Sequence, residues 1–191
     1  MTPAQGSSCK VAFIGSHGVG KTTLCYGLAA RLKAKDLPVD VVQEVARRCP
    51  LPVNEETSVA AQNWILHTQI AEEILAQARH PVVVCDRSVL DNYVYLLVAG
   101  YELPEHERFL AYWMSTYDLL VHVPIVEEPV ADGFRSTDPA FQRLVDERLE
   151  SELDKRHLEV ARLDDLDRED WVAAVEGRVW QRLEPAQLRL I

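Results

Sequence analysis

The stretch Gly15-Ser16-His17-Gly18-Val19-Gly20-Lys21-Thr22-Thr23 follows directly on the apolar run KVAFI. Its spacing is G-x-x-x-x-G-K-T, from Gly15 to Thr22. Glycines in that pattern let the backbone curl so that successive N–H groups point inward, and a helix N-terminus closes the loop. The product is a cradle for phosphates. Lys21 would reach the β- and γ-phosphates, the Thr22 hydroxyl would ligate magnesium, and Thr23 would touch the α-phosphate. His17 falls at a variable position of the pattern and has no expected part in the chemistry. The spacing therefore predicts that Gly15–Thr23 holds a nucleoside triphosphate.

Two further strand ends offer chemistry. The run VVQEVARR ends a strand at Glu44, where the C-terminal edge of a parallel sheet opens onto a ligand crevice. A carboxylate there can take the proton of a hydroxyl that attacks phosphorus. The plain alternative is a surface glutamate paired with Arg47 or Arg48, and Arg47 could also orient Glu44 or touch a phosphate. The run PVVVC leads into Asp86-Arg87. Apolar residues ending in an aspartate suit a magnesium-binding strand end, and Arg87 would neutralise charge on the transferred phosphoryl group. An isolated ion pair is the alternative. No NKxD-type base-reading motif follows any strand, which argues against a guanine-specific GTPase.

These residues need a scaffold, and the hydrophobic pattern supplies one. Short apolar runs at Lys10–Ile14, Val39–Glu44, Pro81–Cys85, Leu119–Val123 and His157–Leu163 read as strands. Amphipathic stretches between them predict helices over Lys21–Lys35, Ser58–Arg79, from Val89, from Pro104, over Ala140–Lys155 and over Glu169–Leu183. In the second helix Leu66, Ile70, Ile74 and Ala78 form an apolar stripe, and Gln62 and Gln69, two turns apart, share a face. In the last, Trp171, Val175 and Val179 share one. The Pro124–Pro139 region reads as a loop, and the charged helix behind it as exposed and mobile. Alternation of strand and helix predicts an α/β fold with a parallel sheet.

The 191-residue chain has an ordinary apolar share of 48% and fits one domain over 1–191. Its formal charge of −10 argues against a basic nucleic-acid or membrane-surface protein. The four cysteines, Cys9, Cys25, Cys49 and Cys85, have neither zinc-ligand spacing nor disulfide-scaffold density. Neither the N-terminal residues nor any apolar run resembles a signal peptide or a span, so a cytoplasmic location is expected.

Together, GSHGVGKTT, QEVARR and DRSVLDNYVY resemble the deoxynucleoside kinase and thymidylate kinase group of P-loop kinases. They are also similar to ribosylnicotinamide kinase-like, AAA-type ATPase/kinase domains. The group's strand-2 motif, E-x-x-x-R/W, corresponds to the stretch beginning Glu44-Val45-Ala46-Arg47. Its ERS motif corresponds to Asp86-Arg87-Ser88, with Asp in place of Glu.

The resemblance implies a five-stranded sheet in the order 2-3-1-4-5, a lid over about 125–155, and helices on both faces. It implies ATP and Mg2+ as cofactors, Glu44 as base for the acceptor, and Arg87 on the acceptor or the phosphoryl group. A base-reading glutamine is expected on the second helix, with Gln69 the candidate and Trp64 beside it. Tyr93 and Tyr95 could stack on a base or pack in the core. Arg135, with Arg143 second, would enter from the lid. Catalytic roles thus fall to Glu44, Asp86, Arg87, Arg135 and Lys21, metal binding to Thr22 and Asp86, and substrate binding to Gln69, Arg47, Trp64 and Arg143. The function expected is transfer of the γ-phosphoryl group to a hydroxyl or phosphate of a nucleoside, nucleotide or related small molecule, with no membrane involved. A regulatory switch ATPase with a protein partner, a kinase of nucleic-acid 5′-hydroxyls, which net acidity disfavours, and a noncatalytic nucleotide binder are the alternatives. Homodimer assembly stays open.

Overall fold

A computed structural model describes residues 8–128 and 136–183. Its centre is a five-stranded sheet in the order β2-β3-β1-β4-β5. The strands are β1 (Cys9–Ile14), β2 (Val39–Val42), β3 (Val82–Asp86), β4 (Leu119–His122) and β5 (Ala161–Arg162). All four pairings are parallel, with Cys9 opposite Val82 and Val11 opposite Leu119. Strands buried on both faces must be apolar almost throughout, and β1 and β3 are buried at every position.

The side chains of β1 and β3 alternate between two apolar layers. Val11, Phe13, Val82 and Val84 face a layer shared with α1 (Lys21–Lys33) and α6 (Trp171–Leu183). Ala12, Ile14, Val83 and Cys85 face the other, shared with α2 (Val59–Gln77), α3 (Val89–Val98), α4 (Pro104–Met114) and α5 (Pro139–Lys155). The sheet order, the parallel strands and the helices on both faces are those expected.

The departures are local. β2 stops at Val42, and Glu44 instead precedes a 3-10 turn over Val45–Arg48, which turns the chain out of the sheet edge. Only Ala161–Arg162 of the predicted fifth strand pair with β4. On α2 the apolar stripe holds at Leu66 and Ile70 but ends there, because Ile74 is 54% exposed. The buried face runs instead through Gln62, Ile65, Gln69, Glu73 and Ala76, closer to the 3.6-residue period, and it carries polar side chains. The charged helix α5 is not the exposed segment its composition suggested. Val145, Leu149 and Leu153, four residues apart, are buried in the second layer, and α5 packs along α3.

Candidate functional site

The phosphate loop is built where β1 leaves the sheet. Gly15, Gly18 and Gly20 all have positive φ, and a Cβ on Gly15 would come within 2.6 Å of the Val123 carbonyl oxygen. Gly20 precedes the first turn of α1, so the helix N-terminus faces the loop. Lys21 folds back, its Nζ donating to the carbonyl oxygens of Gly15, at 2.7 Å, and Ser16. Burial, then the nearby Arg87 guanidinium, lower its pKa to about 8. Val19 packs in the apolar layer of α1, whereas Gly18 and Thr23 face solvent.

The loop is braced from two sides. Gly15 N–H donates to Asp91 Oδ1 at 3.1 Å, while Asp91 Oδ2 accepts from the Ser88 N–H and hydroxyl in the capping box of α3. Ser16 Oγ donates to the Gln142 carbonyl at 2.7 Å, and Gln142 Nε2 donates to the His17 carbonyl at 2.8 Å. The first turn of α5 is therefore hydrogen-bonded directly to the loop. His17, expected to be incidental, is 1% exposed, meets the Tyr95 hydroxyl at 3.1 Å and packs against Phe141.

Thr22 and Asp86 come together from α1 and β3, with Thr22 Oγ1 donating to Asp86 Oδ2 at 2.5 Å. Burial raises the Asp86 pKa, while the Thr22 hydrogen bond opposes the rise. A hydroxyl and one carboxylate are hard oxygen donors of the kind that hold Mg2+ with substrate phosphates and waters, so the pair fits that ion.

Beside them, Glu44 lies between two arginines. Arg87 Nε donates to Oε1 at 2.7 Å and Arg47 Nε to Oε2 at 2.9 Å. Arg87 is 5% exposed, lies 5.2 Å from the centre of the Tyr95 ring, and has a φ of 98°. A left-handed arginine is strained, and such strain persists only where the surroundings over-determine it. Arg87 Nη1 is buried without a hydrogen-bond partner among the described residues.

Two openings flank Glu44. One, of about 130 Å³, lies among Thr22, Asp86, Glu44, Arg47, Gln43 and Tyr26. The other is closed down to about 20 Å³ and includes Arg87, Gln62, Asn92, Tyr95 and Ile65 in its wall. The structure thus brings Lys21, Thr22, Asp86, Glu44, Arg87 and Arg47 to one edge of the sheet. Gln69 is buried and hydrogen-bonded to Glu73, the Arg87 carbonyl and Asn92, and it lines neither opening. Trp64 is half-buried on α2 and also outside both, and Arg143 is exposed on α5. Tyr93 and Tyr95 are both buried in the second layer. Arg135 lies outside the described residues.

Several participants went unread in the sequence. Asp91 carried a signal, the S-x-x-D capping pattern of Ser88–Asp91. Asn92 and Gln142 carried none, because their roles come from contacts across the chain, and Ser16, read as part of the phosphate loop, gave no sign of its bond to Gln142.

Fold and site together define a P-loop nucleotide-binding protein. Residues 10–170 match the AAA domain family, and the chain belongs to that family. No curated protein matches the sequence. The fold is similar to that of deoxyadenosine kinase from M. mycoides, solved with bound dATP. The TM-score is 0.62 at 12% identity, covering 90% of this chain and 98% of that one. Thymidylate kinase from Ehrlichia chaffeensis has a TM-score of 0.64 at 17% identity, covering 92% and 99%. Thymidylate kinase from Candida albicans has a TM-score of 0.61 at 12% identity, covering 93% and 94%.

Proposed function

We propose that the protein is a kinase that transfers the γ-phosphoryl group of ATP to a hydroxyl of a nucleoside-class small molecule. The observation that carries this reading is Glu44, a buried carboxylate at the sheet edge next to the Thr22–Asp86 pair and Arg87. The similar folds, those of a deoxyadenosine kinase and thymidylate kinases, point the same way.

In this mechanism the loop amides and Lys21 bind the triphosphate, Lys21 exchanging its carbonyl partners for phosphate oxygens. Thr22 and Asp86 would hold Mg2+, which would supply positive charge to offset that of the triphosphate. The Glu44 carboxylate, oriented by Arg87 and Arg47, is placed to accept the proton of an approaching hydroxyl. Arg87 Nη1 is left to meet the transferred phosphoryl oxygens.

Among the described residues the wall of the smaller opening carries Arg87, paired there with Glu44. The four cysteines are free thiols, in keeping with a reducing, cytoplasmic site of action. Among the described residues no helix is long and apolar enough to cross a membrane.

A coupled ADP-release assay with ATP and magnesium, across nucleosides, their monophosphates, ribosylnicotinamide and 5′-hydroxyl oligonucleotides, tests the proposal. Strong stimulation by a nucleoside-class compound is expected. Release that no hydroxyl compound changes would overturn it.

A further inference from the structure

The buried face of α2 carries Gln69 and Glu73 where apolar residues would pack more simply. Glu73 is fully buried and meets four donors. Lys10 Nζ, at 2.9 Å, and Trp113 Nε1, at 2.8 Å, bind Oε2. The Tyr117 hydroxyl, at 2.7 Å, and Gln69 Nε2, at 3.0 Å, bind Oε1. Gln69 Nε2 also donates to the Arg87 carbonyl at 2.9 Å. A carbonyl oxygen only accepts, so the Gln69 amide cannot be turned round without setting oxygen against oxygen.

This orientation propagates. Gln69 Oε1 must accept, and it does so from Asn92 Nδ2 at 2.6 Å. That bond fixes which way the Asn92 amide is turned, with Oδ1 on the side away from Gln69, and Asn92 and Gln62 line the smaller opening together. Gln62 Nε2 donates to Thr57 Oγ1 at 2.8 Å, and its Oε1 is buried without a hydrogen-bond partner among the described residues. Amides from two helices thus meet at one cleft, and the Gln62 oxygen there lacks a donor among the described residues.

We propose, resting on the kinase reading above, that Glu73 and Gln69 form a relay that fixes the hydrogen-bond polarity of the acceptor cleft. The acceptor is then a nucleoside whose base carries an exocyclic amine or a carboxamide NH2, directed at Asn92 and Gln62. A ring carbonyl in that place would oppose lone pair to lone pair and leave the buried Gln62 acceptor unpaired, the situation in which polar sites discriminate most strongly. Gln69 acts through Asn92 and is a positioning residue. The same amide ties down the strained Arg87 backbone, so base recognition and the phosphoryl-binding arginine share one anchor.

The test uses matched acceptors that differ at this group: cytidine and uridine, adenosine and inosine, nicotinamide riboside and nicotinic acid riboside. In every pair that is turned over, the amine or carboxamide member should have kcat/KM higher by about tenfold or more. Equal rates, or preference for the other member, would overturn the proposal. Gln69→Met frees the Asn92 amide to turn while Glu73 keeps Lys10, Trp113 and Tyr117. The ratio should fall to within about threefold, with the disfavoured member gaining. A purely structural role would lower both members alike and leave the ratio intact, which would overturn the relay. Should Gln69→Met fail to fold, Gln62→Met reads the same polarity and should also shrink the ratio; an unchanged ratio counts against it. If no member of any pair stimulates ADP release, the kinase reading fails by itself. Calorimetric titration of the same pairs into the wild-type protein then decides the relay. Selective binding of the NH2-bearing members sustains it, and unselective or absent binding overturns it.

Discussion

Glu44 would do its chemistry with both oxygens already engaged by guanidinium groups. That arrangement orients the carboxylate and brings Arg87 with it, so a hydroxyl that reaches Glu44 also reaches the phosphoryl-binding cation. Glu44→Gln keeps the size and one acceptor oxygen but turns an N–H2 toward one arginine. We expect kcat to fall by about 10²- to 10⁴-fold, the usual worth of a positioned base. The ATP dissociation constant should change less than about twofold, because the loop amides and Lys21 are untouched. Steady-state kinetics and calorimetry check the two halves, and full activity in the variant would remove Glu44 from the mechanism. Lys21, Thr22, Asp86 and Arg87 were legible as spacing, since each is fixed by a strand end or a loop of set length. Gln69 was preferred over Gln62 on the family resemblance alone, and it is Gln62 that lines the smaller opening. Which of the two keeps an open valence depends on Glu73 and on the Arg87 carbonyl, and no helical period reports that.

At the level of elements, α5 matters most for how the loop is held. Its charged sequence suggested an exposed helix, yet three apolar residues one turn apart are enough to seat it against α3. Once seated, its first turn places Gln142, 1% exposed, against the phosphate loop. Gln142→Leu would remove the donor to the His17 carbonyl while leaving the backbone bond from Ser16 in place. Loss of one buried hydrogen bond costs about 1–2 kcal/mol. Part of that cost should appear as a looser loop, weakening ATP binding roughly three- to tenfold in calorimetry. The acceptor KM should stay within about twofold, because the cleft of Gln62 and Asn92 lies on other elements. A larger effect on acceptor KM than on ATP affinity would show that α5 serves the acceptor side instead. The stripe on α2 misled for the converse reason. Period-four apolar positions mark a buried face only when that face is apolar, and here it holds the Lys10–Glu73 ion pair and its partners.

Over the whole molecule, the sheet separates two apolar layers, and the cysteines sample both. Cys9 and Cys25 lie in the layer of α1 and α6, and Cys85 in the layer of α2 to α5. Burial pushes the Cys9 thiol up to about 12 and the Cys25 and Cys85 thiols well above their ordinary range. Cys49, after the 3-10 turn that follows Glu44, is only half-buried. A thiol reagent at pH 8 should therefore modify Cys49 quickly and the other three only when the layers open. All four should react at once in denaturant. If sheet and helices open as one cooperative unit, Cys9, Cys25 and Cys85 should share a single slow rate. A nucleotide at about 100 times its dissociation constant then stabilises the closed form by about 2.7 kcal/mol and should slow all three about 100-fold. The rate at Cys49 should barely change. Mass spectrometry of quenched samples gives each rate separately. A buried cysteine that reacts faster than its companions and ignores nucleotide would show that its layer opens alone, and the single-unit account would fail on that side of the sheet.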